Sequence, residues 1–173
     1  MQSRSGVARF LPLRHLGSTR LADVSIALDF HGTFEHSLDA KNRLTVPAKF
    51  RGALSEGVYL VRSADDPCVQ VYPAAAYASM AEQAVAGMNP MSRQAKEMRR
   101  LMFTFADDVP LDGAGRVTLT ARHLQHAGIE GREVVIAGTG DGLELWNPDR
   151  WAEYERDLMA RAPDMTGSLD HSA

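Results

Sequence analysis

Leu38-Asp39-Ala40-Lys41-Asn42-Arg43-Leu44-Thr45-Val46-Pro47-Ala48 is matched 73 residues later by Leu111-Asp112-Gly113-Ala114-Gly115-Arg116-Val117-Thr118-Leu119-Thr120-Ala121. Five of the eleven positions are identical, and Leu44/Val117 and Val46/Leu119 keep their apolar character. Downstream the match resumes with one inserted residue: Gly57 aligns with Gly131, Val71-Tyr72 with Leu145-Trp146, and Tyr77 with Trp151. The chain is therefore a duplication, with copies near 33–80 and 106–152. A copy of this size exposes too much surface to close a core alone. The two copies are expected to share one.

Each copy carries the same local signals. Leu44-Thr45-Val46 alternates like a half-buried strand, and Pro47 suits the first turn of a short helix reaching about Leu54. Val58–Val61 and Cys68–Tyr72 are β-branched and aromatic runs separated by the turn Asp65-Asp66-Pro67, and Pro73 opens an alanine-rich helix to about Ala86. The second copy repeats this order with strands at 117–119, 133–137 and 143–146 and helices at 122–127 and from Pro148 to about Ala160. Gly87-Met88-Asn89-Pro90 breaks the chain between the copies within a linker spanning 87–105, and a basic helix is expected over 91–103. The reading is α+β, built from two internal repeats with flanking helices.

Composition narrows the class. The chain has 173 residues, 45% hydrophobic and 24% charged, with a net charge of −3. The one cysteine, Cys68, excludes an internal disulfide and a cysteine-cluster metal site, and points to a reducing compartment. No apolar run reaches the roughly 20 residues that span a bilayer. The near-neutral average hides local bias. Residues 39–51 (Asp39, Lys41, Arg43, Lys49, Arg51) carry net +3, and 93–100 (Arg93, Lys96, Glu97, Arg99, Arg100) another +3. Residues 141–173 carry net −5, so 161–173 is expected to be an acidic tail. Residues 1–29 hold Arg4, Arg9, Arg14 and Arg20 without a continuous apolar core, and are expected to be a disordered extension rather than a secretory signal.

The repeated turn has a physical design. An Asp opening a tight turn accepts hydrogen bonds from backbone N–H groups two or more residues on. Asn42 and Gly115 occupy the position where the chain needs positive φ, which these residue types adopt most readily. Arg43 and Arg116 then leave the turn at the start of a strand. A hairpin corner needs no arginine, whereas a planar five-donor fork suits phosphates and guanine edges. Asp39, Asp112 and Gly115 are the turn-organising candidates. Lys41, Asn42, Arg43, Lys49, Arg51 and Arg116 are the candidate DNA-contacting residues. Arg43 is expected to dominate over Arg116, because the first copy is the more basic.

Phe30-His31-Gly32, Leu38-Asp39-x-x-x-Arg43-Leu44-x-Val46-Pro47, Met88-Asn89-Pro90 with the basic helix after it, Leu111–Arg116 and Leu143-Glu144-Leu145-Trp146 together resemble the bacterial MraZ proteins, over about 30–155. The resemblance implies a duplicated swapped-hairpin β-barrel of the SpoVT/AbrB type, ring-like homo-oligomers, and a transcriptional regulator. It further implies binding to short direct DNA repeats ahead of the division and cell-wall gene cluster, which includes the regulator's own gene, with the Asp-x-x-x-Arg turn as the contact. Asn42 departs from the family's usual glycine before the arginine. The expected setting is cytoplasmic and nucleoid-associated, with double-stranded DNA as partner, no membrane and no cofactor.

Other classes find less support. His123 and His126 share a helical face without a carboxylate at ligand spacing, and no nucleophile elbow, phosphate loop or dinucleotide fingerprint is present, so no enzyme is expected. The competing reading is a protein–protein assembly or antitoxin-like module in which DNA contact is secondary.

Overall fold

The computed structural model describes residues 29–167. The expectation for 1–29 thus lies almost wholly outside the described residues, as does the end of the acidic tail. The first copy runs β1 (Thr33–Ser37), β2 (Arg43–Thr45), α1 (Ala48–Arg51), β3 (Val58–Arg62), β4 (Cys68–Pro73) and α2 (Ala74–Val85). Helix α3 (Arg93–Thr104) joins it to the second copy: β5 (Ala106–Val109), β6 (Arg116–Thr118), α4 (Ala121–Ala127), β7 (Glu133–Gly138), β8 (Leu143–Trp146) and α5 (Pro148–Gly167). The prolines behave as their fixed φ demands, with Pro47 and Pro73 immediately preceding helices α1 and α2. Helix α3 starts where Ser92 accepts a hydrogen bond from the Ala95 N–H, satisfying a donor that the first turn leaves unpaired.

The copies exchange strands. The antiparallel six-stranded sheet has the order β1-β7-β8-β4-β3-β5, so β1 of the first copy pairs with β7 of the second, and β5 of the second pairs with β3 of the first. At the centre, β4 and β8 pair symmetrically about Gln70 and Glu144. Strands β2 and β6 form a separate ribbon, symmetric about Leu44 and Val117, with Arg43 opposite Thr118 and Thr45 opposite Arg116. A two-fold relation between the copies thus passes through both pairings.

The hydrogen-bonded sheet is open. Strands β1 and β5 are its two edges, and the ribbon closes no ladder onto either. The reason lies in the repeated turn: it bends each chain sharply after β1 or β5, so β2 and β6 leave the sheet and find each other. Strand register also refines the alignment of the copies. Val58 lies opposite Val109, and Val134 opposite His36, the counterpart of Val109. Val58 therefore corresponds to Val134, and Gly57 does not fall on Gly131. Helix α4 is longer than α1, and the shorter β7–β8 turn absorbs part of the difference.

One core serves both copies. Phe30, Leu44, Val46, Phe50, Leu60 and Val71 from the first pack with Val117, Leu119, Ile136 and Leu145 from the second, all essentially inaccessible. Two side clusters hold the helices. Val61, Tyr72, Tyr77 and Ala81 pack with Met102 of α3, while Trp146 stacks on Tyr154 and meets Trp151 edge-on to seat α5. Helix α5 continues past Pro163 to Gly167, overrunning its expected end and making the start of the acidic tail helical. Pro163 removes the N–H that would bond the Met159 carbonyl; Met159 is exposed, so water can serve that carbonyl in its place.

Candidate nucleic-acid interface

The two repeated turns have the same geometry. In the first, Asp39 Oδ1 accepts the N–H groups of Lys41 (2.8 Å) and Arg43 (3.0 Å), and the Asn42 N–H donates to the Asp39 carbonyl (3.0 Å). In the second, Asp112 Oδ1 accepts from Ala114 (2.9 Å) and Arg116 (3.0 Å), and Gly115 donates to the Asp112 carbonyl (2.8 Å). The bend passes through positive φ at Asn42 (56°) and Gly115 (72°). Asn42 is the only non-glycine at positive φ among the described residues. Asn42→Gly should therefore fold at least as well as the wild type, whereas Asn42→Val should lose about 1–2 kcal/mol. Urea midpoints of the two variants check this.

Sequence spacing alone did not disclose what the second carboxylate oxygen does. Asp39 Oδ2 accepts from Arg43 Nε (2.7 Å) and lies 2.7 Å from its Nη2, and Asp112 Oδ2 accepts from Arg116 Nε at 2.7 Å. Each aspartate therefore shapes the turn with one oxygen and steers the arginine with the other. On Arg43 the Nε/Nη2 edge is occupied, which leaves the Nη1/Nη2 edge of the fork for a ligand. The backbone N–H of Arg43, that of Lys41 and the guanidinium together hold the Asp39 carboxyl down at about 2. At Asp112 burial opposes ionisation, but the Arg116 guanidinium and the N–H groups of Ala114 and Arg116 outweigh it and keep the carboxyl below its usual range.

A depressed carboxyl makes its contribution above the unfolded-state value of 3.8 and loses it as pH falls through about 2. The stability difference between wild type and Asp39→Asn should accordingly be constant from pH 5 upward and shrink between pH 4 and pH 2. Urea unfolding across that range reads it; a difference that grew toward acid would contradict the assignment.

The turns are tied to one another. Val46 N–H donates to the Gly115 carbonyl (3.0 Å), and Leu119 N–H donates to the Asn42 carbonyl (2.9 Å). The ribbon's inner face, Leu44 and Val117, is buried in the core. Successive side chains of a strand alternate faces, so Arg43, Thr45, Arg116 and Thr118 share the outer face. Two clamped arginines thus stand diagonally on one rigid two-stranded ribbon, with side chains about 27% and 30% exposed.

The remaining sequence candidates divide. Lys41 and Asn42 sit exposed at the tip of the first turn. Lys49 is drawn aside: its Nζ donates to the His31 carbonyl (2.9 Å) and lies over the Phe34 and Phe50 rings. Arg51 donates from Nε to the Val46 carbonyl (2.8 Å) and packs on Gly115, where an added Cβ would come within 2.6 Å of it. Of the first helix's cations, Arg51 thus packs beside the ribbon at Val46 and Gly115, while Lys49 is turned toward His31 and the Phe34 and Phe50 rings. Within the turn itself the charge difference between the copies is Lys41 against Ala114. His123, weighed as a chemical group from sequence, is fully buried. Its Nδ1 accepts the Thr120 N–H (3.1 Å) and its Nε2 lies 2.9 Å from Asp107 Oδ2, so it caps α4 from within.

Comparison with known proteins agrees with the duplication. A family model described as "MraZ protein, putative antitoxin-like" matches twice, over residues 30–101 and 102–168. A relative from Nocardioides sp., named Transcriptional regulator MraZ, is 35% identical over 84% of this chain and 99% of its own. Proteins of the same name from Lactiplantibacillus plantarum and Corynebacterium glutamicum are 36% and 38% identical, each over 81% of this chain and over 97% and 99% of their own. Two family matches in tandem, together with near-complete coverage of these relatives, establish that the chain belongs to the MraZ family.

Proposed function

We propose that this protein is a sequence-specific DNA-binding transcriptional regulator that reads double-stranded DNA with the outer face of the β2–β6 ribbon. The observation that carries the reading is the pair of aspartate-clamped arginines diagonal to each other on one rigid ribbon. A two-stranded ribbon fits the major groove, where an arginine fork can engage guanine O6 and N7. Arg43 and Arg116 are assigned to bases, Lys41 and Asn42 to the adjoining backbone, and Asp39, Asp112 and Gly115 to holding the turns. The strand exchange and the symmetric ribbon support a swapped-hairpin arrangement of the SpoVT/AbrB type, built within one chain. The names of the relatives support the regulatory role, which requires no enzymatic group and no cofactor.

One ribbon with so few free cations grips DNA weakly, because phosphate contacts supply most of the affinity. Useful binding then comes from several subunits on evenly spaced sites, where linkage multiplies modest contacts. This favours a ring-like homo-oligomer on short direct repeats upstream of the division and cell-wall gene cluster that includes the regulator's own gene. The setting is cytoplasmic and nucleoid-associated; among the described residues no helix is long and apolar enough to cross a membrane.

The family description favours a second reading, an antitoxin-like protein module in which DNA is secondary. Salt separates the two. Specific DNA binding measured from about 50 to 200 mM salt should weaken with a log–log slope of about −0.9 per neutralised phosphate. A flat response would favour the protein module.

A further inference from the structure

The two copies differ in chemistry at a matched spot in the core. In the first, Phe34 of β1 meets Phe50 of α1 edge-on, with ring centroids 5.8 Å apart. At the matching positions, 73 residues on, β5 carries Asp107 and α4 carries His123. The helix starts differ in step. Pro47 precedes α1 and has no N–H to satisfy. Its counterpart Thr120 has one, and that N–H donates to His123 Nδ1 (3.1 Å). An apolar pair beside a proline is thus replaced by a fully buried imidazole that serves a backbone donor.

Neutral imidazole suits this place, and its cation does not. With Nδ1 accepting from Thr120, the ring proton sits on Nε2, 2.9 Å from Asp107 Oδ2 but out of line for a good hydrogen bond. Arg62 of β3 and His126, one turn along α4, are the other ionisable groups that act on the ring. Arg62 Nε and His126 Nε2 are buried with no hydrogen-bond partner among the described residues. Burial pushes the His123 imidazole below its ordinary value; Asp107 offsets part of that, while Arg62 and His126 add to it. Asp107 is half-exposed, so water weakens its pull. A proton on Nδ1 removes the acceptor of the Thr120 N–H. Thr120 Oγ1, 3.2 Å away, can turn to take the new proton, but the backbone N–H then faces a cation.

This cap is joined to the ribbon. Thr120 follows Leu119, whose N–H donates to the Asn42 carbonyl and ties the end of β6 to the first turn. We propose that His123 is an acid-sensitive catch on the ribbon: its protonation opens the start of α4, releases the Leu119–Asn42 tie and weakens operator binding. The first copy has Pro47 and Phe50 at these positions, so the symmetric tie, from the Val46 N–H to the Gly115 carbonyl, stays shut. The inference rests on the ribbon as the DNA contact and names how that contact is regulated. Above about pH 6.5 the ring is neutral whether the chain is folded or not, and the folded state is penalised as pH falls below it. That window lies well above the one in which Asp39 titrates.

Hydrogen exchange of the wild-type protein, followed by mass spectrometry at pH 7.5 and 5.5 and corrected for intrinsic rates, reads both ties in one molecule. Peptides carrying Leu119 and Thr120 should lose protection in acid, and those carrying Val46 should keep it. Thr120 has a φ of −78°, which a proline can adopt, so Thr120→Pro with His123→Phe installs the first copy's chemistry. That variant should hold its protection at Leu119 at both pH values. Operator affinity of the wild type should fall relative to the variant by up to about tenfold per bound subunit, the limit for one proton over one pH unit. Unchanged wild-type protection at Leu119 overturns the inference while leaving DNA reading intact, and this arm needs no variant to fold. So does an equal loss at Val46, or an operator affinity that falls alike in both proteins. A wild type without operator preference at pH 7.5 would overturn both the inference and the reading beneath it.

Discussion

Arg43→Ala is expected to abolish preference for the operator while leaving the fold and the assembly unchanged. A bidentate arginine–guanine contact is worth about 1–3 kcal/mol of discrimination, roughly 5- to 150-fold per site. Subunits bound side by side multiply that loss, so the assembled protein should fall to its non-specific affinity. The loss belongs to the planar fork and not to charge alone, so Arg43→Lys should also lose preference but keep its grip on scrambled DNA. Arg116 stands in the same clamp on the same ribbon, and Arg116→Ala should approach the effect of Arg43→Ala. Whatever separates the two variants reduces to Lys41 beside Arg43, where the second turn has Ala114. Lys41→Ala should weaken operator and scrambled DNA by similar factors. Gel shifts at two salt concentrations with both DNAs resolve all four variants. Full operator preference in both arginine-to-alanine variants would rule out the ribbon as reader.

The largest effect on stability is expected at Leu44. It is 1% exposed and pairs with Val117 at the symmetry point of the ribbon, so its side chain seats both turns on the shared core. Leu44→Ala leaves a cavity that neighbours from two copies fill only in part, and should cost about 2–5 kcal/mol. A stability loss of that size lowers the denaturant midpoint and loosens both turns at once. DNA binding should therefore fall even at temperatures where the variant stays folded. Val117→Ala removes fewer buried carbons and should cost less. Equal, small losses at both positions would mean that the ribbon is not anchored through this pair.

Much of this architecture is legible in residues alone. The duplication shows in five identities at one offset, and the strands at Val58 and Leu143 and the helices after Pro73 and Pro148 follow from apolar pattern and fixed proline φ. Positive φ at Asn42 and Gly115 follows from residue type. Partner choice between strands is what local pattern does not carry. Nothing near Thr33–Ser37 states that its neighbour is Glu133–Gly138, because pairing is decided by a core assembled from both copies. The same limit governs the cations. Lys49 and Arg51 count toward a basic face in sequence, yet each has an internal acceptor that only the folded chain supplies: the His31 carbonyl for one and the Val46 carbonyl for the other. The Asp39–Arg43 and Asp112–Arg116 clamps follow the same limit: the repeated spacing puts each pair on one turn, but only the folded turn brings the second carboxylate oxygen onto the guanidinium.

Hydroxyl-radical footprinting of the purified protein on the DNA upstream of its own gene tests the central claim most directly. The wild type should protect short, evenly spaced segments lying on one face of the duplex, and the Arg43→Ala/Arg116→Ala double variant, with unchanged sedimentation, should protect none above scrambled DNA. Protection by the double variant equal to that of the wild type would contradict the claim that the paired turns read the operator.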